Sequence, residues 1–217
     1  MTKSTKISLA EMIQQIEKTL NTMKMGIDQY ENSSHDQSQK DAGLRNAVVF
    51  GRAVTNSLQK LRGTEVGRED FDAWYTPWQK KLKEDPGFKF LYKLRSQILK
   101  EGILKTSSGI KINHLNIGDA YKLMKKAPFN VKSMFIGDAY GQSGFEVILP
   151  DGSVKKYYIE LPDYINVENI LEINDVPHYK GYYNNEVNNT ATLLDYYYKF
   201  LCIMVTDAKL KFLIMKK

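Results

Sequence analysis

At Gly102 the apolar residues of this chain change their period, and this constrains the fold more than any other feature of the sequence. Before Gly102 they recur at steps of three and four, the spacing of one helix face; after it they come in short alternating runs, the spacing of strands. The helical part opens on a capping box, Ser8-Leu9-Ala10-Glu11, whose hydroxyl and carboxylate can each satisfy an orphan backbone N–H. Leu9, Ile13, Ile16, Leu20, Met23, Ile27 and Tyr30 then lay one stripe along about six helical turns. A polar loop, Glu31 to Gln39, leads into a second helix from Lys40 to Arg62, with Leu44, Val48, Val54, Leu58 and Leu61 on one side and Gly63 to end it. Two long helices joined by a short loop make an antiparallel hairpin. Phe71, Trp74, Trp78 and Leu82 continue the spacing, but Pro77 is expected to break this segment, with Thr76 capping a new helix. Asp85-Pro86 supplies an N-cap and an N1 proline for a further helix carrying Phe88, Leu91, Leu94 and Ile98, closed by Gly102.

Beyond Gly102, Ile103 to Lys105 and Ile110 to Ile112 flank Ser107-Ser108-Gly109 and read as a small hairpin. A short helix follows around Asp119 to Lys126. The clearest strand pair is Phe145 to Leu149 and Val154 to Ile159, joined by Pro150-Asp151-Gly152-Ser153, and Met134 to Ile136 is a candidate third strand. A last helix opens at Thr190 or Thr192, with Leu193, Tyr197, Phe200, Met204 and Leu210 on one face and Lys209, Lys211, Lys216 and Lys217 towards its end. The expected fold is mainly α: a helical bundle with an inserted β-hairpin or small antiparallel sheet, α+β overall. It is expected as one domain over the 217 residues. The helical core takes in residues 8–102 and 190–215, and the β-containing insertion 103–160. An irregular connection, 161–189, has one helical turn near Val167 to Leu171.

The supply of catalytic residue types is thin. A single cysteine, Cys202, excludes an internal disulfide and a multi-cysteine metal site and points to a reducing, cytoplasmic setting. Within Phe200 to Met204 it reads as an inert small hydrophobe. The N-terminus lacks the apolar core of a signal peptide, and no run approaches about 18 apolar residues, so no membrane is expected. His35, His114 and His178 are scattered and form no ligand pair; neither a metal nor a cofactor is expected. The segment Gly137 to Gly144 has the glycines of a phosphate loop without a following lysine and helix, and reads as a turn between strands. Glu69, Asp70 and Asp72 crowd the start of the third helix, where they favour its dipole.

Lys and Arg number 31 against 25 Asp and Glu, a net +6 that permits a nucleic-acid partner without demanding one. Lysines cluster at Lys80, Lys81 and Lys83, at Lys122, Lys125 and Lys126, and at Lys155 and Lys156. If these converge they make a phosphate-binding surface; if not, they are solvated faces. The runs Tyr157-Tyr158, Tyr182-Tyr183 and Tyr196-Tyr197-Tyr198 offer rings for stacking on bases, with at least one member of each expected in the core.

One constellation remains, Leu94-Arg95-Ser96-Gln97-Ile98-Leu99-Lys100-Glu101-Gly102. It resembles the HEPN superfamily, helical-bundle proteins of bacterial toxin and phage-defence systems among others, whose signature is an arginine, a polar residue and, after four to six intervening positions, a histidine. Arg95 matches the arginine and Ser96 the polar position, while Lys100 stands where the histidine belongs; Arg45 begins a second echo in which Phe50 takes that place. The resemblance covers residues 8–102. It implies a site in which Arg95 holds a phosphate and the proton-transfer group is missing, because lysine shuttles protons poorly near neutrality. The plainer reading has Arg95 and Lys100 as cations near a helix C-terminus.

The first expectation is therefore a non-enzymatic HEPN-like interaction module, in a bacterial defence or toxin–antitoxin setting, that binds itself as a homo-oligomer, a protein partner or RNA. The alternatives are a metal-independent ribonuclease in which Arg95 works with a histidine from elsewhere, His114 being nearest in sequence, and a non-catalytic nucleic-acid-binding protein. Arg95, Lys100, Lys122, Lys125, Lys126, Lys155 and Lys156 are the candidate nucleic-acid contacts, and Arg95, Lys100 and His114 the candidate catalytic residues.

Overall fold

The local chemistry read at Ser8 is present: its backbone N–H donates to Glu11 Oε2 at 2.9 Å and the Glu11 N–H donates to Ser8 Oγ at 3.3 Å, opening helix α1, Leu9–Asn32. The computed structural model describes residues 7–33, 35–138 and 140–214; Lys216 and Lys217 lie outside them. Helix α2 spans Gln37–Gln59, three residues earlier than expected, because Asp36 caps it by accepting from the Gln39 N–H at 3.0 Å. The α1 and α2 backbones cross closely: a Cβ on Gly26 would meet Ala47 N at 2.7 Å, and one on Gly43 would meet Gly26 O at 2.7 Å.

Helix α3, Arg68–Glu84, runs unbroken through Pro77, and Thr76 caps nothing. Pro77 and Ala73 both face solvent, so the Ala73 carbonyl that loses its helical donor can be served by water. Asp85 and Pro86 open α4, Pro86–Glu101, with Asp85 Oδ1 accepting from the Phe88 N–H at 3.1 Å, and Gly102 closes it at φ 68. Helix α6, Thr190–Lys209, is capped by Asn189, one residue before Thr190, the first of the two expected threonines, with Thr192 completing the box. Its apolar face is buried along its whole length, from Leu193 to Ala208, while Lys199, Ile203 and Thr206 face solvent. Past Lys209 the winding loosens to a π-type turn, Leu210–Ile214; this re-phases the face, so that Phe212 is buried and the expected Leu210 is 46% exposed.

The β elements are β1, Thr106–Asn113; β2, Val131–Phe135; β3, Ser143–Ile148; β4, Val154–Ile159; β5, Asn166–Ile173; and the two-residue β6, Tyr179–Lys180, and β7, Glu186–Val187. Strands β2-β3-β4 form the expected antiparallel sheet, with Phe145 opposite Tyr157 and Met134. Two expectations fail. The chain stays extended through Gly109, whose φ is not positive, so 103–112 is no hairpin and β1 pairs with β5 instead. The helical turn near Val167 to Leu171 is β5 itself: Val167, Asn169, Leu171 and Ile173 point inward at a period of two, hidden in the sequence because Asn169 takes an inward position and Ile170 an outward one. Helix α5, Ile117–Met124, begins on an Asn116–Asp119 capping box.

Contacts divide the chain into a helical unit, Met1–Tyr30, Ala42–Lys105 and Ile173–Lys217, and a second unit, Glu31–Asp41 and Thr106–Glu172. The second is built around Leu123, Ile165 and Val167. The protein is mainly α with small antiparallel sheets.

Candidate functional site

The helical unit contains a pocket of about 500 Å³ bounded by one face each of α2, α3 and α4 and by Tyr197 of α6. Helical spacing builds it: Val48, Arg52 and Gln59 lie along α2, Tyr75, Gln79, Leu82 and Lys83 along α3, and Phe88, Lys89, Tyr92 and Lys93 along α4, each at steps that return to one side. Its floor is apolar and aromatic. Its rim is cationic: Arg52, Lys83, Lys89 and Lys93 line it, and no carboxylate does. None of these four cations makes an ion pair among the described residues.

The aromatic walls are held in place. The Arg52 guanidinium lies 5.1 Å from the centre of the Tyr92 ring and donates from Nη1 to Thr55 Oγ1 at 2.9 Å. Gln59 Nε2 donates to the Tyr75 hydroxyl at 3.1 Å. Tyr197 packs so closely on α2 that a Cβ on Gly51 would sit 2.5 Å from its ring. It is only 4% exposed and lines the pocket, and its hydroxyl has no hydrogen-bond partner among the described residues. Burial pushes this phenol well above its ordinary 10.0, with Arg52 pulling the other way, and burial also raises Tyr75. Both stay neutral donors at physiological pH. The lining consists of cations, phenols, amides and apolar side chains, with no histidine, carboxylate or thiol among them.

A family model described as Bacteriophage lambda protein ea47 matches residues 12–123, just over half of the chain. The chain belongs to this family. No curated protein and no solved structure gives a match. Every residue lining the pocket except Tyr197 falls within the stretch shared with the ea47 family.

The residues singled out in the sequence are placed as follows in this ea47-family fold. Arg95 and Lys100 both lie on α4, but five residues apart they point about 140° from one another round the helix. Arg95 is half-buried, its Nε shielded and without a hydrogen-bond partner among the described residues; Lys100 is exposed. His114 is exposed, follows β1 at φ 63 and belongs to the second unit, whereas Arg95 belongs to the helical unit. Lys122 pairs with Asp119 at 3.7 Å and Lys156 with Asp138 at 3.1 Å. Lys155 and Lys156 are successive strand residues and so point to opposite faces of β4. Lys125 and Lys126 are exposed just beyond α5. Of the first lysine cluster only Lys83 lines the pocket; Lys80 pairs with Glu84 at 3.9 Å, and Lys81 lies over the Trp78 and Tyr182 rings.

The glycine-rich segment is a turn, as expected. The Asp138 carboxylate accepts from the backbone N–H groups of Tyr140 at 2.9 Å and Gln142 at 3.1 Å, so the amides that could cradle a phosphate are already engaged. Burial opposes the charge on Asp138, but these amides with Lys156 and Tyr158 outweigh it and hold the carboxyl below its usual value. Of the tyrosine runs, only Tyr196 and Tyr197 are core; Tyr157 and Tyr158 are both exposed, as is Tyr183, and Tyr182 is half-buried, contrary to expectation. Sequence reasoning passed over Arg52, Lys89, Tyr92 and Lys93. Its one available signal was Lys89, Tyr92 and Lys93 at i, i+3 and i+4, a basic–aromatic face.

Proposed function

We propose that this protein is a non-enzymatic, HEPN-like helical module that binds RNA at the cationic pocket of its helical unit. The observation that carries this reading is the lining itself: four cations, no carboxylate and four aromatic rings, the combination that holds a phosphate backbone and stacks on a base. Lysine at position 100, turned away from Arg95, supports binding without hydrolysis. The test is single-stranded RNA binding by fluorescence anisotropy across a salt series. If all four cations meet phosphates, the slope of log K against log salt is about −2.8. Lys89→Gln with Lys93→Gln reduces that slope by about half, and the RNA is recovered uncut. RNA binding that is undetectable, or insensitive to salt, refutes the reading. Cleavage abolished by both Arg95→Ala and His114→Ala, with folding intact, establishes the ribonuclease alternative.

Self-association is favoured by a separate observation in the second unit, where Ile117, Tyr121 and Phe129 are 78%, 70% and 96% exposed. Sedimentation of Tyr121→Ser with Phe129→Ser against the parent tests it: a monomeric parent rejects it.

A further inference from the structure

We infer that the pocket is a receptor for a single nucleoside monophosphate unit, presented either by the end or an unstacked position of an RNA strand or as a free nucleotide. The inference deepens the RNA reading by assigning what enters the site. A space of about 500 Å³ suits one small ligand and excludes a folded chain. Its charge is of one sign: Lys83, Lys89 and Lys93 at the rim, with Arg52 behind, call for an anion of more than one negative charge. Its walls call for a flat ring on the same molecule. Tyr92 is 54% exposed and the Arg52 guanidinium lies over one face of its ring, so a base can stack on this cation–ring pair from its open side.

The deciding group is the Tyr197 hydroxyl. Tyr197 is 4% exposed, and its hydroxyl has no protein hydrogen-bond partner among the described residues, so a ligand in the pocket can take up that hydrogen bond in place of water. This hydroxyl, like any phenol near neutral pH, is protonated and can both donate and accept; the Gln59 and Gln79 amides at the same pocket can do likewise. That mixture matches the edge of a heteroaromatic base, which presents donors and acceptors together, whereas an aliphatic acid or inorganic phosphate would engage the donors alone. The phosphate therefore lies at the lysine rim and the base edge at Tyr197.

Isothermal titration of the full chain with each of the four nucleoside 5′-monophosphates, the matching nucleosides and inorganic phosphate tests this, alongside competition against labelled single-stranded RNA. A monophosphate is expected to bind more tightly than its nucleoside or phosphate alone. Lys89→Gln with Lys93→Gln weakens it roughly tenfold, and Tyr92→Ala, at an exposed position, does so to a similar degree. Tyr197→Phe, which preserves the ring, lowers affinity several-fold and changes the order of preference among the four bases. Saturation by no monophosphate, or binding that all three variants leave unchanged, overturns the inference. RNA binding without competition by any monophosphate overturns it while leaving the RNA reading standing. Monophosphate binding without RNA binding supports the pocket assignment and removes the RNA reading.

Discussion

Asp85 is the residue whose loss the helical unit should feel most. It is 3% exposed and carries three hydrogen bonds: the Phe88 N–H that caps α4 at 3.1 Å, the Tyr179 hydroxyl at 2.5 Å and the Tyr196 hydroxyl at 2.8 Å. Each tyrosine also accepts a backbone N–H, Tyr179 from Gly87 at 3.2 Å and Tyr196 from Tyr182 at 2.9 Å. One carboxylate thus fastens the start of α4 to α6 and to the segment before it. Asp85→Ala removes the cap, worth about 1 kcal/mol. It leaves the half-buried Tyr179 donor unpaired at about 1 kcal/mol and the fully buried Tyr196 donor at about 2 kcal/mol. The expected loss is about 4 kcal/mol, which for a chain of this length lowers Tm by about 8–16 °C. Asp85→Asn keeps the cap and one acceptor oxygen and is expected to lose about half as much. Urea denaturation of both variants, followed by far-UV circular dichroism, measures the difference. An Asp85→Ala midpoint within about 3 °C of the parent in a thermal scan refutes the assignment of this residue as the fastening point.

Two further predictions follow from burial and close packing. Burial, with the Asp85 carboxylate for the first two, raises the phenols of Tyr179, Tyr196 and Tyr197 above the ordinary 10.0, and Tyr198 is pushed up to about 12 by burial and its contact with Cys202. The native state therefore holds protons that the unfolded chain releases above about pH 10, so their stability is intact below that pH and falls as pH rises beyond it; urea midpoints equal at about pH 9 and pH 11 contradict this. Gly43→Ala places a Cβ 2.5 Å from Tyr30 N and is expected to cost about 3 kcal/mol by forcing α1 and α2 apart, whereas Gly109→Ala, with nothing within 4 Å, stays within about 0.5 kcal/mol of the parent.

What the sequence disclosed was the chemistry that acts within one turn of chain. Ser8 with Glu11, Asp85 with Pro86, and Gly102 each determine their element locally, and all three behave as read. Strand β5 escaped because its alternation is carried partly by Asn169, so the period is visible only once the inward side is known. The pocket escaped for a different reason. Arg52, Lys83 and Lys89 lie on three helices, and each looks like an ordinary solvated cation until packing sets them round one space. Tyr197 was legible as core from its spacing, but an unpaired hydroxyl is a statement about what does not stand opposite it, and no local pattern contains that.

Tyr196 and Tyr197 place a hydrogen-bonded hydroxyl and an unpaired one on adjacent residues of α6. Both rings rest on Phe88, with centroids 5.1 Å away in each case, and both phenols are held neutral by burial. Their hydroxyls differ in one respect: that of Tyr196 donates to Asp85 and accepts from Tyr182, and that of Tyr197, a residue lining the pocket, has no partner among the described residues. A pair of single-atom deletions separates the two roles. Tyr196→Phe leaves the Tyr182 N–H and one Asp85 oxygen short of a partner, so it is expected to cost about 2 kcal/mol of stability while ligand affinity stays unchanged. Tyr197→Phe removes a group that nothing in the folded chain needs, so stability holds or rises slightly while affinity falls. Measured together by urea denaturation and titration, the two variants must cross. If both lose stability and neither loses affinity, the Tyr197 hydroxyl has a structural partner and the pocket loses its reading group.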